Sequence, residues 1–127
     1  MTPDNKVRTE ESGAKKRVVL VVDGRPSRQF YTSIFLQRLE YDVIMAKNAE
    51  DALVFLDMTV PLVVITDIDL AELDGIGLLG RMKGKDRTRE VPVIIYSKRS
   101  DPATREACRK AGCAGFVAHP CSLDQLY

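Results

Sequence analysis

Tryptophan is absent from the 127 residues, and histidine occurs once, as His119. A lone histidine removes most routes to a structural zinc site, which needs four ligands. Cysteine is scarce: Cys108, Cys113 and Cys121 are an odd set with no C-x-x-C pair. That excludes a disulfide framework and points to small, partly buried thiols in a reducing compartment. No apolar run approaches the roughly 20 residues of a membrane span. The N-terminus lacks the apolar core of a signal peptide. These two absences predict a cytoplasmic location without membrane contact. Charge of one sign is missing too: 19 Lys+Arg face 18 Asp+Glu, a formal +1. Such a balance gives no basic face for direct nucleic-acid binding.

What remains is an ordinary globular mix, 45% hydrophobic and 29% charged, at a length that suits one domain. Residues 1–17 have no apolar periodicity and carry Lys6, Arg8, Lys15, Lys16 and Arg17 against Asp4, Glu10 and Glu11. They read as a solvated tail, with a basic arm for a partner as the alternative. Residues 18–127 then alternate regularly. Val18–Val22 is a continuous β-branched run, suited to a strand buried on both faces. Asp42–Ala46, Leu62–Thr66, Val91–Tyr96 and Gly115–Ala118 are four further strand candidates.

Helical segments separate them. Pro26 opens the first, whose apolar stripe runs from Phe30 toward Leu39. Asn48 caps a second through Met58, with Ala52, Leu53, Phe55 and Leu56 facing inward. Gly75–Met82 is a shorter third. Asp101 and Pro102 open a fourth that Gly112 ends in a left-handed turn. Ser122 with Gln125 forms a capping box for a fifth from Leu123, cut short at Tyr127. That shortness leads to the expectation that the natural protein continues further. Strands alternating with helices imply right-handed βαβ units. The natural candidate is a flavodoxin-like (βα)5 α/β sandwich of three layers, with parallel sheet order 2-1-3-4-5.

Ligands of such sheets bind beyond the carboxyl ends of the strands, at the switch point of first and third. Asp23 follows the first apolar run, Asp67 the third, Ser97 the fourth and His119 the fifth. Each alone suits an ordinary turn. Together they form an edge that suits carboxylate chemistry: a hard cation such as Mg²⁺ relieves the repulsion of two acids, and a carboxylate is a nucleophile toward phosphorus.

At this point the chain resembles the receiver domain of two-component response regulators, over essentially all of Arg17–Tyr127. The motif Asp67-Ile68-Asp69-Leu70-Ala71-Glu72-Leu73-Asp74-Gly75 is similar to the family's loop after its phosphorylated aspartate. Val91–Ser97 resembles its fourth strand with the Ser/Thr switch residue, and Lys110–Phe116 the turn into its fifth. His119-Pro120 stands where the family has Lys-Pro, usually joined by a cis peptide.

The resemblance implies that Asp67 is the phosphoacceptor and that Mg²⁺ is held by Asp23, Asp67 and the backbone carbonyl of Asp69. It implies that Ser97 hydrogen-bonds the phosphoryl group and that Phe116 is the switch aromatic. A sensor histidine kinase or phosphotransfer protein would be the donor. A C-terminal output domain beyond Tyr127 would be the effector. Homodimerisation would use the face of the fourth helix, fifth strand and fifth helix.

Three departures stand out. Gly24 replaces the second of two adjacent acids, which weakens the metal site. His119 replaces the lysine, and imidazole titrates near about pH 6.5. Lys98 replaces a small residue, either obstructing the donor or supplying the missing ammonium. Asp69 is a candidate to replace the carboxylate lost at Gly24, and Ala71 replaces a usual proline. These departures open an alternative: a degenerate receiver that serves as a phosphorylation-independent binding or dimerisation module. A remote third is a small Mg-dependent phosphatase of haloacid-dehalogenase type, suggested by Asp67-Ile68-Asp69. The expectation is a signalling domain rather than an enzyme. Flavin binding is disfavoured because Pro26, in Gly24-Arg25-Pro26-Ser27, lacks a backbone N–H for a phosphate cradle. The cluster Arg81, Lys83, Lys85, Arg87 and Arg89 reads as a solvated loop.

Overall fold

Five residues with both faces covered set the centre of the molecule. In the computed structural model, which describes residues 17–118, β1 (Val18–Val22) is buried at every position. It pairs on one side with β2 (Asp42–Ala46) and on the other with β3 (Val63–Thr66). β4 (Val93–Ser97) and β5 (Gly115–Ala118) extend the sheet, giving the all-parallel order β2-β1-β3-β4-β5. β3 and β4 begin one and two residues later than expected. β2 is an edge, and its Ile44 and Met45 are exposed.

Alternate side chains feed two cores, one on each face of the sheet. The larger contains Leu20, Val22, Val64, Val93 and Ile95, covered by α2 (Ala49–Met58), α3 (Gly75–Lys83) and α4 (Pro102–Ala111). The smaller contains Val19, Val21, Ile65 and Tyr96, closed by Leu36 of α1 (Pro26–Arg38). Burying each large apolar side chain contributes about 1.5–3 kcal/mol. The fifth helix expected from Leu123 lies outside the described residues. So does the tail, except Arg17, which is anchored: its guanidinium lies 4.3 Å from the centre of the Tyr41 ring.

The helix starts are specified locally. Asn48 accepts from the Asp51 N–H at 2.8 Å, Asp74 from that of Gly77 at 2.8 Å and Asp101 from that of Thr104 at 3.1 Å. Gly112 ends α4 at φ 97°, the left-handed turn expected there. Among the four described helices, α1 alone starts without a side-chain cap. The basic cluster is less of a loop than expected. Arg81 and Lys83 close α3, where cations suit the helix dipole, and Lys83 donates to the Arg89 carbonyl at 3.1 Å.

Candidate functional site

Strand register brings the two acids together. Val22 of β1 stands opposite Thr66 of β3, so Asp23 and Asp67, one residue further on each strand, emerge side by side. Their backbones continue the ladder: the Asp67 N–H donates to the Val22 carbonyl and the Asp23 N–H to that of Ala46, both at 3.0 Å. Ser97 ends the neighbouring strand β4 and is fully buried. The polar edge expected beyond the apolar runs is therefore present for Asp23, Asp67 and Ser97.

The loop after β3 holds Asp67 from below. Thr66 Oγ1 donates to the Asp67 carbonyl at 2.9 Å, and the Gly75 N–H donates to the Ile68 carbonyl at 2.9 Å. A Cβ on Gly75 would stand 2.1 Å from the Asp67 carbonyl oxygen. The Asp74-Gly75 pair thus has two separate tasks. Asp74 starts α3, and the bare Gly75 lets that helix press on the backbone of Asp67.

The centre of the site is a residue that strand spacing does not single out. Arg28, 6% exposed, reaches from the first turn of α1 between Asp23 and Asp67, which are 5% and 3% exposed. Its Nε donates to Asp23 Oδ2 at 2.5 Å and its Nη2 to Asp23 Oδ1 at 3.2 Å. Nη2 also donates to Asp67 Oδ2. The Tyr96 ring lies with its centroid 5.6 Å from the guanidinium carbon. Burial alone would lower the Arg28 pKa. The hydrogen bond and charge of Asp23, then those of Asp67, outweigh this and raise it above its ordinary value. The group is a permanent cation. Two buried side-chain polar atoms among the described residues have no hydrogen-bond partner: Arg28 Nη1 and Asp67 Oδ1.

A sequence signal for Arg28 existed. Cations are disfavoured in the first turn of a helix, where the dipole is positive. α1 places Arg28 there with no acid in that turn and no capping side chain. A residue that breaks a local rule marks a site where a tertiary partner decides.

The remaining candidates take more modest places. The Asp69 side chain pairs with Arg99 at 3.1 Å, with both groups about half exposed. The carboxylate that was a candidate to replace the one lost at Gly24 thus stands at the rim, paired with an exposed cation. Lys98 is exposed, and the cation between the acids is Arg28 rather than Lys98. Ser97 Oγ accepts from the Arg99 N–H at 3.0 Å, a local role that leaves its own proton to donate. Gly24 is exposed. Phe116 packs on the larger core with Arg105 over its ring at 4.6 Å. His119 and Pro120 lie outside the described residues. No group of three or more His, Cys, Asp or Glu side chains able to hold a metal occurs among the described residues.

Comparison with known proteins identifies the family and the fold. A family model, the response regulator receiver domain, matches residues 19–127. The chain belongs to the response regulator receiver domain family. Response regulator Rre1 of Synechocystis is 28% identical over 109 residues, which are 85% of this chain and 47% of that protein. The chain spans between 14% and 47% of the first curated relatives it matches. Among solved receiver structures, that of a signal transduction histidine kinase from Syntrophus aciditrophicus is 28% identical with a TM-score of 0.80. The match covers 86% of this chain and 83% of that one. The receiver domain of sensor histidine kinase PA1611 from Pseudomonas aeruginosa shares the fold, with a TM-score of 0.81 at 23% identity. It covers 88% of this chain and 92% of that one, and holds a magnesium ion coordinated in its active site cleft. The chain is a receiver domain of the two-component type, with a doubly wound five-stranded sheet and Arg28 set between its two buried acids.

Proposed function

We propose that this receiver accepts a phosphoryl group on Asp67 from the phosphohistidine of a sensor histidine kinase or phosphotransfer protein. The observation that carries the reading is the Asp67 carboxylate at the switch point, with Oδ2 held by Arg28 and Oδ1 buried without a partner. An orphaned buried acceptor costs about 1–3 kcal/mol. A covalent partner at Oδ1 removes that cost.

The chemistry follows from these atoms. Asp67 Oδ1 attacks phosphorus, an O–P bond forms, and the N–P bond of the donor breaks with its electron pair returning to the imidazole. Asp67 becomes an acyl phosphate. Arg28 Nη1, the orphaned donor, hydrogen-bonds a phosphoryl oxygen, and its charge offsets the charge that arrives. Ser97 donates its hydroxyl proton to another. Phe116, on the strand beside β4, carries the change to the α4–β5 face, which serves partner or homodimer contacts.

Mg²⁺ does not fit the residues as they stand. Gly24 offers no carboxylate, and the Arg28 guanidinium already stands between the two acids, donating to both oxygens of Asp23 and to Oδ2 of Asp67. The chemistry above therefore rests on the chain's own groups.

The wider role is proposed on the same footing: a cytoplasmic signalling domain, not itself an enzyme, joined in its full-length protein to an output module. No described helix is long and apolar enough to cross a membrane.

The burial of Asp67 and its pairing with Arg28 favour a second reading, in which the domain is a phosphorylation-independent binding module. Treatment with acetyl phosphate or phosphoramidate, followed by intact-mass measurement, separates the two. One added phosphoryl group in the parent chain and none in Asp67→Asn supports phosphotransfer. No adduct on the folded parent chain leaves the binding module.

A further inference from the structure

We propose that Arg28 is the resident cation of this site, fixed by the chain in place of a dissociable divalent metal. The inference holds whether or not Asp67 is phosphorylated, because it concerns the carboxylates before any donor arrives.

Two carboxylates brought side by side at 5% and 3% exposure need a counter-charge. A guanidinium is a planar fork that matches carboxylate geometry and cannot lose its proton. Here the fork is used fully on one side. Nε and Nη2 take both oxygens of Asp23, and Nη2 also reaches Asp67. The Arg25 N–H adds a further bond to Asp23 Oδ1 at 2.9 Å. These are three of the four carboxylate oxygens that a hard cation could take as ligands.

Three other features agree. Pro26 at the start of α1 fixes the backbone two residues before Arg28. The Tyr96 ring, itself buried in the smaller core, stands by the guanidinium at 5.6 Å, which favours a cation there. The third carboxylate that a metal would use is missing at Gly24. A missing carboxylate at Gly24 and a buried guanidinium from Arg28, on adjoining segments, set a tethered monocation between the acids where a dication would otherwise balance them. Two acids against Arg28 leave a net charge of −1, the same as three acids against a dication, beside the orphaned Asp67 Oδ1.

The test uses the full chain, MgCl₂ and MnCl₂, with Arg28→Gln as the variant. Isothermal titration with Mg²⁺ is expected to show no saturable binding to the parent chain in the millimolar range. Its Tm is expected to be the same in chelator and in Mg²⁺. Arg28→Gln is expected to gain Mg²⁺ affinity by at least about tenfold and to rise in Tm when Mg²⁺ is added. Paramagnetic broadening by Mn²⁺ needs no variant: the amide signals of Asp23, Asp67 and Ser97 in the parent chain are expected to stay sharp. Saturable Mg²⁺ binding by the parent chain, with broadening centred on those residues, would overturn the proposal. So would a folded Arg28→Gln with no gain in affinity. Phosphorylation is read by neither arm, so failure of the Asp67 reading leaves this result intact.

Discussion

Removing Arg28 leaves Asp23 and Asp67 buried with no counter-charge, and that is the perturbation with the largest expected cost. Breaking a buried ion pair by deleting one partner costs about 3–5 kcal/mol, because the survivor stays charged and desolvated. Here two survivors remain, each 5% exposed or less, and they also repel one another. For Arg28→Ala we expect a loss of about 3 kcal/mol or more in metal-free buffer. With a urea m-value of about 1–3 kcal/mol/M for a domain of this size, the midpoint falls by roughly 2 M. Asp67→Asn alone costs less, since Arg28 keeps both bonds to Asp23. The double variant isolates the pair. Its loss is expected to be smaller than the sum of the singles by about 1–3 kcal/mol. Urea denaturation followed by circular dichroism measures all four proteins. A coupling energy below about 0.5 kcal/mol, with Arg28→Ala within about 1 kcal/mol of the parent, refutes the buried triad.

Other perturbations have defined outcomes. Gly75→Ala drives a methyl group into the Asp67 carbonyl, so it is expected to destabilise by about 1–3 kcal/mol and to slow phosphorylation of Asp67, read by thermal melting and intact mass. Leu20→Ala opens a cavity in the larger core and is expected to cost about 2–5 kcal/mol in urea denaturation. Hydrogen bonds from the Thr104 side chain and backbone hold the Asp101 carboxyl below its ordinary value of 3.8. A depressed folded pKa stabilises above the unfolded value and ceases to do so as pH falls through the folded one. The Tm deficit of Asp101→Ala is therefore expected to be full at neutral pH and to shrink below about pH 4.

The five strands were legible because the apolar runs are short and bounded, and their order came from the known topology of a doubly wound five-stranded sheet. Asp23 and Asp67 were legible for the same reason: a residue that ends a strand in a doubly wound sheet has only one edge to occupy. Gly75 was legible as part of a motif, while its physical task, close contact with the Asp67 carbonyl, depends on how α3 packs against the end of β3. Arg28 was missed because strand periodicity says nothing about helix side chains that lean back over the strand end. The strand ends drew attention to cations near Ser97 and His119, whereas the cation comes from α1. The partner of Asp69 was not legible, because Arg99 comes from the adjoining loop after β4, a contact between loops that no local pattern encodes.

Whether Asp67 takes a phosphoryl group is read most directly from electron density in crystals of this chain soaked with phosphoramidate. The expected density shows a phosphoryl group bonded to Asp67 Oδ1, with Arg28 Nη1 within hydrogen-bonding distance of one of its oxygens and Asp23 still paired with Arg28. An unmodified Asp67 still paired with Arg28, in a crystal where the reagent reaches the site, would contradict phosphotransfer to this residue.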